Sequence, residues 1–114
     1  MHELGITCNI VAIAADRAQN AKVKRVTLEI GKLTAIFPDA IRFCFDVCCQ
    51  GTVLAGAELE IIEIPGLAFC RQCQTEIPLE MPYGICHVCG STNLRIIQGE
   101  ELKIKEMEVE AVCV

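Results

Sequence analysis

From Leu4 to Ala18 the apolar residues Ile6, Ile10, Ile13 and Ala14 recur at intervals of three and four, which predicts an amphipathic helix with that stripe turned inward. Asp16, Arg17, Gln19 and Asn20 form its polar exit. The period then changes. Between Val23 and Ile30, the residues Val26, Leu28 and Ile30 alternate with Arg25, Thr27 and Glu29, the pattern of a half-buried strand. Gly31-Lys32-Leu33-Thr34 breaks that strand, and Pro38-Asp39 marks a second helix start. Proline suits the first helical position, and a carboxylate is favourable at the positive end of the helix dipole. This helix is expected from about Pro38 to Gln50, with Gly51 just past its end. Ile41, Phe45 and Cys48 make one apolar stripe and Phe43 and Val47 a second, which predicts burial on more than one side. Leu59 and Ile61 alternate with Glu58 and Glu60 in a second strand that ends at Pro65-Gly66.

Residues 67–95 lose this periodicity and carry Pro78, Pro82, Gly84 and Gly90 instead. Periodic sequence resumes after Gly99, in a last strand holding Leu102, Ile104, Met107 and Val109. The parity of those residues changes between Ile104 and Met107, so a bulge near Lys105-Glu106 is expected to return Met107 and Val109 to the core face. The predicted fold is α+β, with an α/β-like arrangement of the first elements: a small three-stranded mixed sheet, two helices on one face, and an inserted module. A helix joins the first two strands, which are expected to run parallel through a right-handed crossover. In domain terms, residues 1–66 and 99–114 form one discontinuous helix-sheet domain, and residues 67–98 the insertion.

The chain has 114 residues, enough for one ordinary domain and too few for a large enzyme. There is no Trp, one Tyr and four Phe, so a core drawn from the 53% apolar residues must be aliphatic. The net charge of −5, with no run of Lys or Arg, lacks the electrostatic footprint of phosphate-backbone binding. No nucleic-acid partner is expected. Nor is a membrane partner, since no apolar run approaches the ~20 residues of a spanning helix. An odd count of nine cysteines, without a signal peptide before Met1, argues for the cytoplasm rather than a secreted disulfide scaffold. Cys8, Cys44, Cys48, Cys49 and Cys113 are then expected to act as small buried hydrophobes.

The other four cysteines have metal spacing. Cys70-Arg71-Gln72-Cys73 and Cys86-His87-Val88-Cys89 are two Cys-x-x-Cys knuckles separated by a twelve-residue spacer. Each knuckle can turn two thiolates to a common point, and the spacer can return the chain so that four sulfurs close a tetrahedron around Zn²⁺. Four protein ligands leave no position for substrate. The inserted module is therefore read as zinc-ribbon-like, with structural Zn²⁺ on Cys70, Cys73, Cys86 and Cys89. Two disulfides are the competing reading of the same spacing. His87 is expected to face solvent or to support the site from outside the four sulfurs.

The N-terminus offers a second donor set. His2 is too large to permit ready removal of the initiator methionine, so the Met1 α-amine is expected to be free. From that amine, the amide nitrogen of His2 closes a five-membered chelate, and Nδ1 of the same histidine closes a six-membered one. Ni²⁺ and Cu²⁺ favour such tetragonal nitrogen sites. Glu3 can supply the fourth position through its amide or carboxylate. Taken alone, the same residues also suit a frayed terminus and a first-turn acid.

Several stretches together resemble the HypA/HybF family of hydrogenase maturation proteins. They are Met1-His2-Glu3-Leu4, Val26-Thr27-Leu28-Glu29-Ile30-Gly31, Ile41-Arg42-Phe43-Cys44-Phe45, Gly51-Thr52, the four knuckle cysteines and Gly99-Glu100-Glu101-Leu102. The resemblance implies a non-enzymatic nickel metallochaperone, with Ni(II) as transient cargo bound through Met1, His2 and Glu3. It also implies a HypB-type GTPase as co-chaperone and the nickel-iron hydrogenase large subunit as recipient. A monomer or weak homodimer is expected. Cys44, Cys48 and Cys49 stand where members of that family are expected to carry Ala or Val, which leaves a side route for thiol metal binding that burial counts against. The competing classes are a zinc-ribbon adaptor in transcription or RNA handling and a thiol oxidoreductase. Acidity and scarce aromatics oppose the adaptor, and the turn-rich setting of both knuckles opposes the oxidoreductase.

Overall fold

The computed structural model describes residues 2–110, so Met1 and Cys113 lie outside the described residues. Helix α1 spans His2–Ala18 and buries Thr7, Ile10, Val11, Ala14 and Ala18, a continuous stripe at helical spacing. That stripe is rotated from the expected one. Ile13 is 48% exposed, while Val11 and the small polar Thr7 are buried. The Thr7 hydroxyl donates to the Glu3 carbonyl one turn back, which satisfies it inside the helix and makes its burial tolerable.

Strand β1, Val23–Gly31, is the central strand of a three-stranded sheet ordered β2-β1-β6, where β2 is Glu58–Ile64 and β6 is Leu102–Val109. Val26, Leu28 and Ile30 are essentially fully buried, as the alternation predicts, and Thr27 is buried as well. Helix α2, Pro38–Cys49, starts with proline in its first turn and packs against α1. Gly51 follows in the left-handed region at φ 77°, where only glycine is unstrained.

Two expectations are corrected among these elements. α2 buries Ile41, Phe45 and Cys49 on one face, while Phe43 and Val47 are 84% and 61% exposed. The predicted second stripe is therefore a surface feature. On β6, Ile104 and Met107 are half-buried but Val109 is 42% exposed, so Val109 does not return to a core face.

The region expected to lack strands contains a second sheet. Its order is β4-β3-β5, with β3 Gly66–Cys70 in the middle, β4 Thr75–Leu79 and β5 Leu94–Gln98, both antiparallel to β3. Five-residue strands interrupted by Pro78 carry too little alternation to be read from sequence. Ala68, Cys70, Ile77 and Cys86 make its small core, with Cys73, Leu79 and Leu94 packed around them.

Contacts divide the chain into two compact units, one of residues 1–28, 36–62 and 103–114, the other of residues 29–35 and 63–102. Leu33 belongs to the second unit and is buried over Gly66 and Gly99. A side chain at Gly66 would collide with the Leu79 backbone and Leu33, which is why glycine stands there. Backbone bonds knit the same corner: Leu33 N–H donates to the Gly99 carbonyl at 2.8 Å and Lys32 N–H to the Ile64 carbonyl at 2.8 Å.

Candidate metal centre

The two knuckles have the same local construction. After Cys70, the Gln74 N–H donates back to the Cys70 carbonyl at 2.7 Å, and Gln74 takes φ 57°. After Cys86, the Gly90 N–H donates to the Cys86 carbonyl at 2.7 Å, and Gly90 takes φ 77°. Each four-residue turn thus curls its pair of thiols inward. The Arg71 N–H donates to the Asn93 carbonyl at 3.0 Å, tying the first knuckle to the chain entering β5.

The result is a four-sulfur cluster whose atoms all lie within 4.8 Å of one another. Cys70 and Cys89 sulfurs are 3.6 Å apart, and those of Cys73 and Cys86 are 3.7 Å apart. These separations are too long for disulfide bonds, which removes the two-disulfide reading. They suit a shared ion. Four ligands at ~2.3 Å around a tetrahedral Zn²⁺ stand about 3.8 Å from each other. Cys70 and Cys86 are buried, Cys73 is half-buried and Cys89 exposed, so the cluster reaches from the module core to its surface. His87 is exposed and stands outside the group, in line with the solvent-facing expectation.

Electrostatics separates the thiols. The Cys89 backbone N–H, aided by that of Val88, overcomes burial and holds the Cys86 thiol down to about 6. The Cys73 and Gln72 amides lower Cys70 in the same way, again against burial. Cys89 goes the other way. Although the Ser91 amide lowers it, burial and the neighbouring sulfurs push its thiol up to about 12, because a further thiolate there would face existing negative charge. A divalent cation removes that conflict. The donor set, its spacing and its charge therefore fit Zn²⁺ with no open ligand position.

The N-terminal residues are placed separately, in the other unit. His2 opens α1 with an exposed side chain, and Glu3 is half-buried in the same turn. Met1 lies outside the described residues. The first N–H groups of a helix have no intrahelical partner, which leaves the amides of this turn available to a ligand. An open groove of about 430 Å³ adjoins them, lined by Glu3, Leu4, Ala40, Phe43, Cys44 and Val47.

One bond carries no signal in the sequence. Cys8 on α1 and Cys48 on α2 form a disulfide, with Cα atoms 5.1 Å apart. The expectation of five buried free thiols is corrected accordingly: Cys8 is exposed, Cys48 and Cys44 are half-buried, and Cys49 alone of the described four is fully buried. Burial, then the Asp46 carboxylate, push the Cys49 thiol up to about 11, so it stays protonated. With a sequence separation of 40, the pair follows no short motif that could have announced it.

The model of a family described as hydrogenase/urease nickel incorporation metallochaperone, HypA, matches residues 1–109. The hydrogenase maturation factor HypA of Trichodesmium erythraeum is 74% identical over 114 residues, and that of Trichormus variabilis 72%, each covering all of both chains. A solution structure of a HypA protein is similar at 27% identity, with a TM-score of 0.72 and 98% of both chains covered. The solution structure of the Ni metallochaperone HypA from Helicobacter pylori shares the fold, at 23% identity, a TM-score of 0.69, and coverage of 96% of this chain and 98% of that one. No helix among the described residues is long and apolar enough to cross a membrane. An end-to-end likeness of this depth, together with the four-cysteine cluster, means that the chain belongs to the HypA family of nickel metallochaperones, which are maturation factors and not catalysts.

Proposed function

We propose that the chain carries Ni²⁺ at its N-terminal turn and delivers it to the large subunit of a nickel-iron hydrogenase. The ligands are the Met1 amine, the amide and Nδ1 of His2, and Glu3 at the fourth position. Cys70, Cys73, Cys86 and Cys89 hold a structural Zn²⁺, which supplies the positive charge that lets four thiolates share one point. The compact unit that holds α1 and α2 bears the nickel, and the unit that contains residues 67–98 bears the zinc. Delivery takes place in the cytoplasm, with a HypB-type GTPase as co-chaperone.

The family match over residues 1–109 carries this reading, because it spans both donor sets. Helix chemistry supports the nickel end. His2 stands at the first position of α1, where its amide has no helical partner to lose. Deprotonating that amide creates an anion, and the positive dipole end favours it. His2 is exposed, so the metal can be passed on without unfolding the domain.

Transfer from His2→Ala and Glu3→Gln variants to an apo large subunit tests the assignment. His2→Ala removes the imidazole ring of the chelate and should abolish transfer, whereas Glu3→Gln removes one carboxylate and should weaken it less. Equal transfer by wild type and His2→Ala would contradict the proposal.

A further inference from the structure

We propose that Cys8 and Cys48 are a reversible redox-modification site that fastens the metal-bearing turn of α1 to α2 when oxidised and frees it when reduced. The bond joins two helices that already pack against each other, with Cα atoms 5.1 Å apart, so it forms and opens without moving either helix axis far. Leu4 lies one turn before Cys8 on α1, and the Cys48 sulfur is 3.8 Å from the Leu4 carbonyl oxygen. In the reduced form the Cys48 thiol can keep only a weak S–H···O contact to that turn. The covalent tie at Cys8 and this contact at Leu4 therefore lie one turn apart on α1, the contact falling next to Glu3. The nickel consequence rests on the N-terminal chelate proposed above.

Access favours exchange chemistry at this pair. Cys8 is exposed, whereas Cys49, next to Cys48 in sequence, is buried and kept protonated, so it does not compete. Cys44 is half-buried one turn before Cys48 and provides an internal control. A small-molecule disulfide such as glutathione disulfide is the oxidant. The Cys8 thiolate attacks one of its sulfurs, forming a mixed disulfide and expelling one glutathione thiolate. The Cys48 thiolate then attacks the Cys8 sulfur, forming the Cys8–Cys48 bond and expelling the second. The protein gives up two electrons and two protons, and two glutathione thiols leave. Cysteine pairs of this kind in reducing compartments are usually transient or redox-sensing.

Freed of the tie, the first turn of α1 keeps only non-covalent holds, the Thr7 hydroxyl bond to the Glu3 carbonyl and the Cys48 contact to Leu4 among them, and frays more readily than when crosslinked. Oxidation should therefore slow exchange of both amide hydrogens and nickel at that turn. The experiment uses untagged, zinc-loaded full-length protein equilibrated with mixtures of glutathione and glutathione disulfide. Free thiols are then alkylated and mapped by mass spectrometry. Cys8 and Cys48 should lose alkylation together, at a ratio that leaves Cys44 alkylated and the zinc content unchanged. Cys48→Ser should leave Cys8 as a mixed disulfide with glutathione. In wild type only, oxidation should slow amide exchange in residues 3–8 and Ni²⁺ dissociation by about fivefold or more, the lower end of typical coupling between sites. Independent modification of the two cysteines, or a bond that persists at every ratio and in excess dithiothreitol, would overturn the site. Nickel that binds both forms and leaves both at the same rate would overturn the coupling. Failure of either form to bind nickel would instead count against the terminal chelate.

Discussion

Cys86 and Cys89 belong to the same knuckle yet are driven in opposite directions, one thiol held down to about 6 and the other pushed up to about 12. At pH 7 Cys86 is therefore mostly thiolate before metal arrives, while Cys89 must give up a proton. Zinc uptake should release at least that proton, and the release should grow by about one between pH 7 and pH 5, as Cys86 becomes protonated in the free protein. Calorimetric titration in buffers of different ionisation enthalpy reads this count. The sign for stability follows from the same shift. The depressed Cys86 value gives the metal-free module a contribution that is full above pH 9 and lost as pH falls through about 6, while the raised Cys89 value acts in the opposite sense, full below pH 9 and lost as pH rises through about 12. A flat proton count across this range would contradict the asymmetry. What sequence discloses at this scale depends on whether a residue's role is encoded locally. The knuckle cysteines are legible because two-residue spacing alone brings paired sulfurs together, and His2 can be singled out because the chelate proposed for it involves only its neighbours. The Cys8–Cys48 pair is not, because packing of α1 on α2 creates it.

At the scale of elements, helix and strand periods disclose the β2-β1-β6 sheet strands and both helices, but not how much of each helix a neighbour covers. α2 shows the difference. Its apolar residues occupy two stripes in sequence, Ile41-Phe45-Cys48 and Phe43-Val47, yet burial falls on Ile41, Phe45 and Cys49, with Cys48 only half-buried. Ile41→Ala should destabilise the protein by about 3 kcal/mol, the usual cost of truncating a fully buried aliphatic side chain. Val47→Ala should change stability by less than about 0.5 kcal/mol, as is usual for exposed positions. Denaturant unfolding measures both, and comparable losses would mean that Val47 is covered after all. Crosslinking matters here too. Closing a loop with a sequence separation of 40 stabilises by up to about 4 kcal/mol in the chain-entropy model, so reduction should lower the unfolding midpoint in wild type but not in Cys8→Ser.

Across the whole molecule, two small cores share one chain, and their needs differ. The unit holding α1 and α2 buries Val26, Leu28, Ile41 and Leu54 completely and has an aliphatic core of its own. The other relies on five-residue strands and a core in which two of four members, Cys70 and Cys86, are knuckle cysteines. Such a core cannot be recognised from apolar periodicity, which explains why its sheet is hidden in the sequence while its metal motif is plain. Stripping zinc with a chelator should raise hydrogen exchange in residues 67–95 far more than in α1, α2 and β1, and Cys73→Ser should do the same. Uniform loss of protection would mean that one core cannot stand without the other.

The central claim is that nickel is held by the N-terminal turn and not by any of the cysteines. It is tested most directly by the d–d absorption of Ni²⁺ bound to untagged, zinc-loaded protein, with and without acetylation of the Met1 amine. A diamagnetic, square-planar nitrogen spectrum is expected in the free-amine protein. Acetylation should abolish that spectrum while zinc stays bound, because it removes the terminal donor that closes the five-membered ring and supports deprotonation of the His2 amide. Undiminished nickel binding after acetylation, with the same spectrum, would contradict the claim.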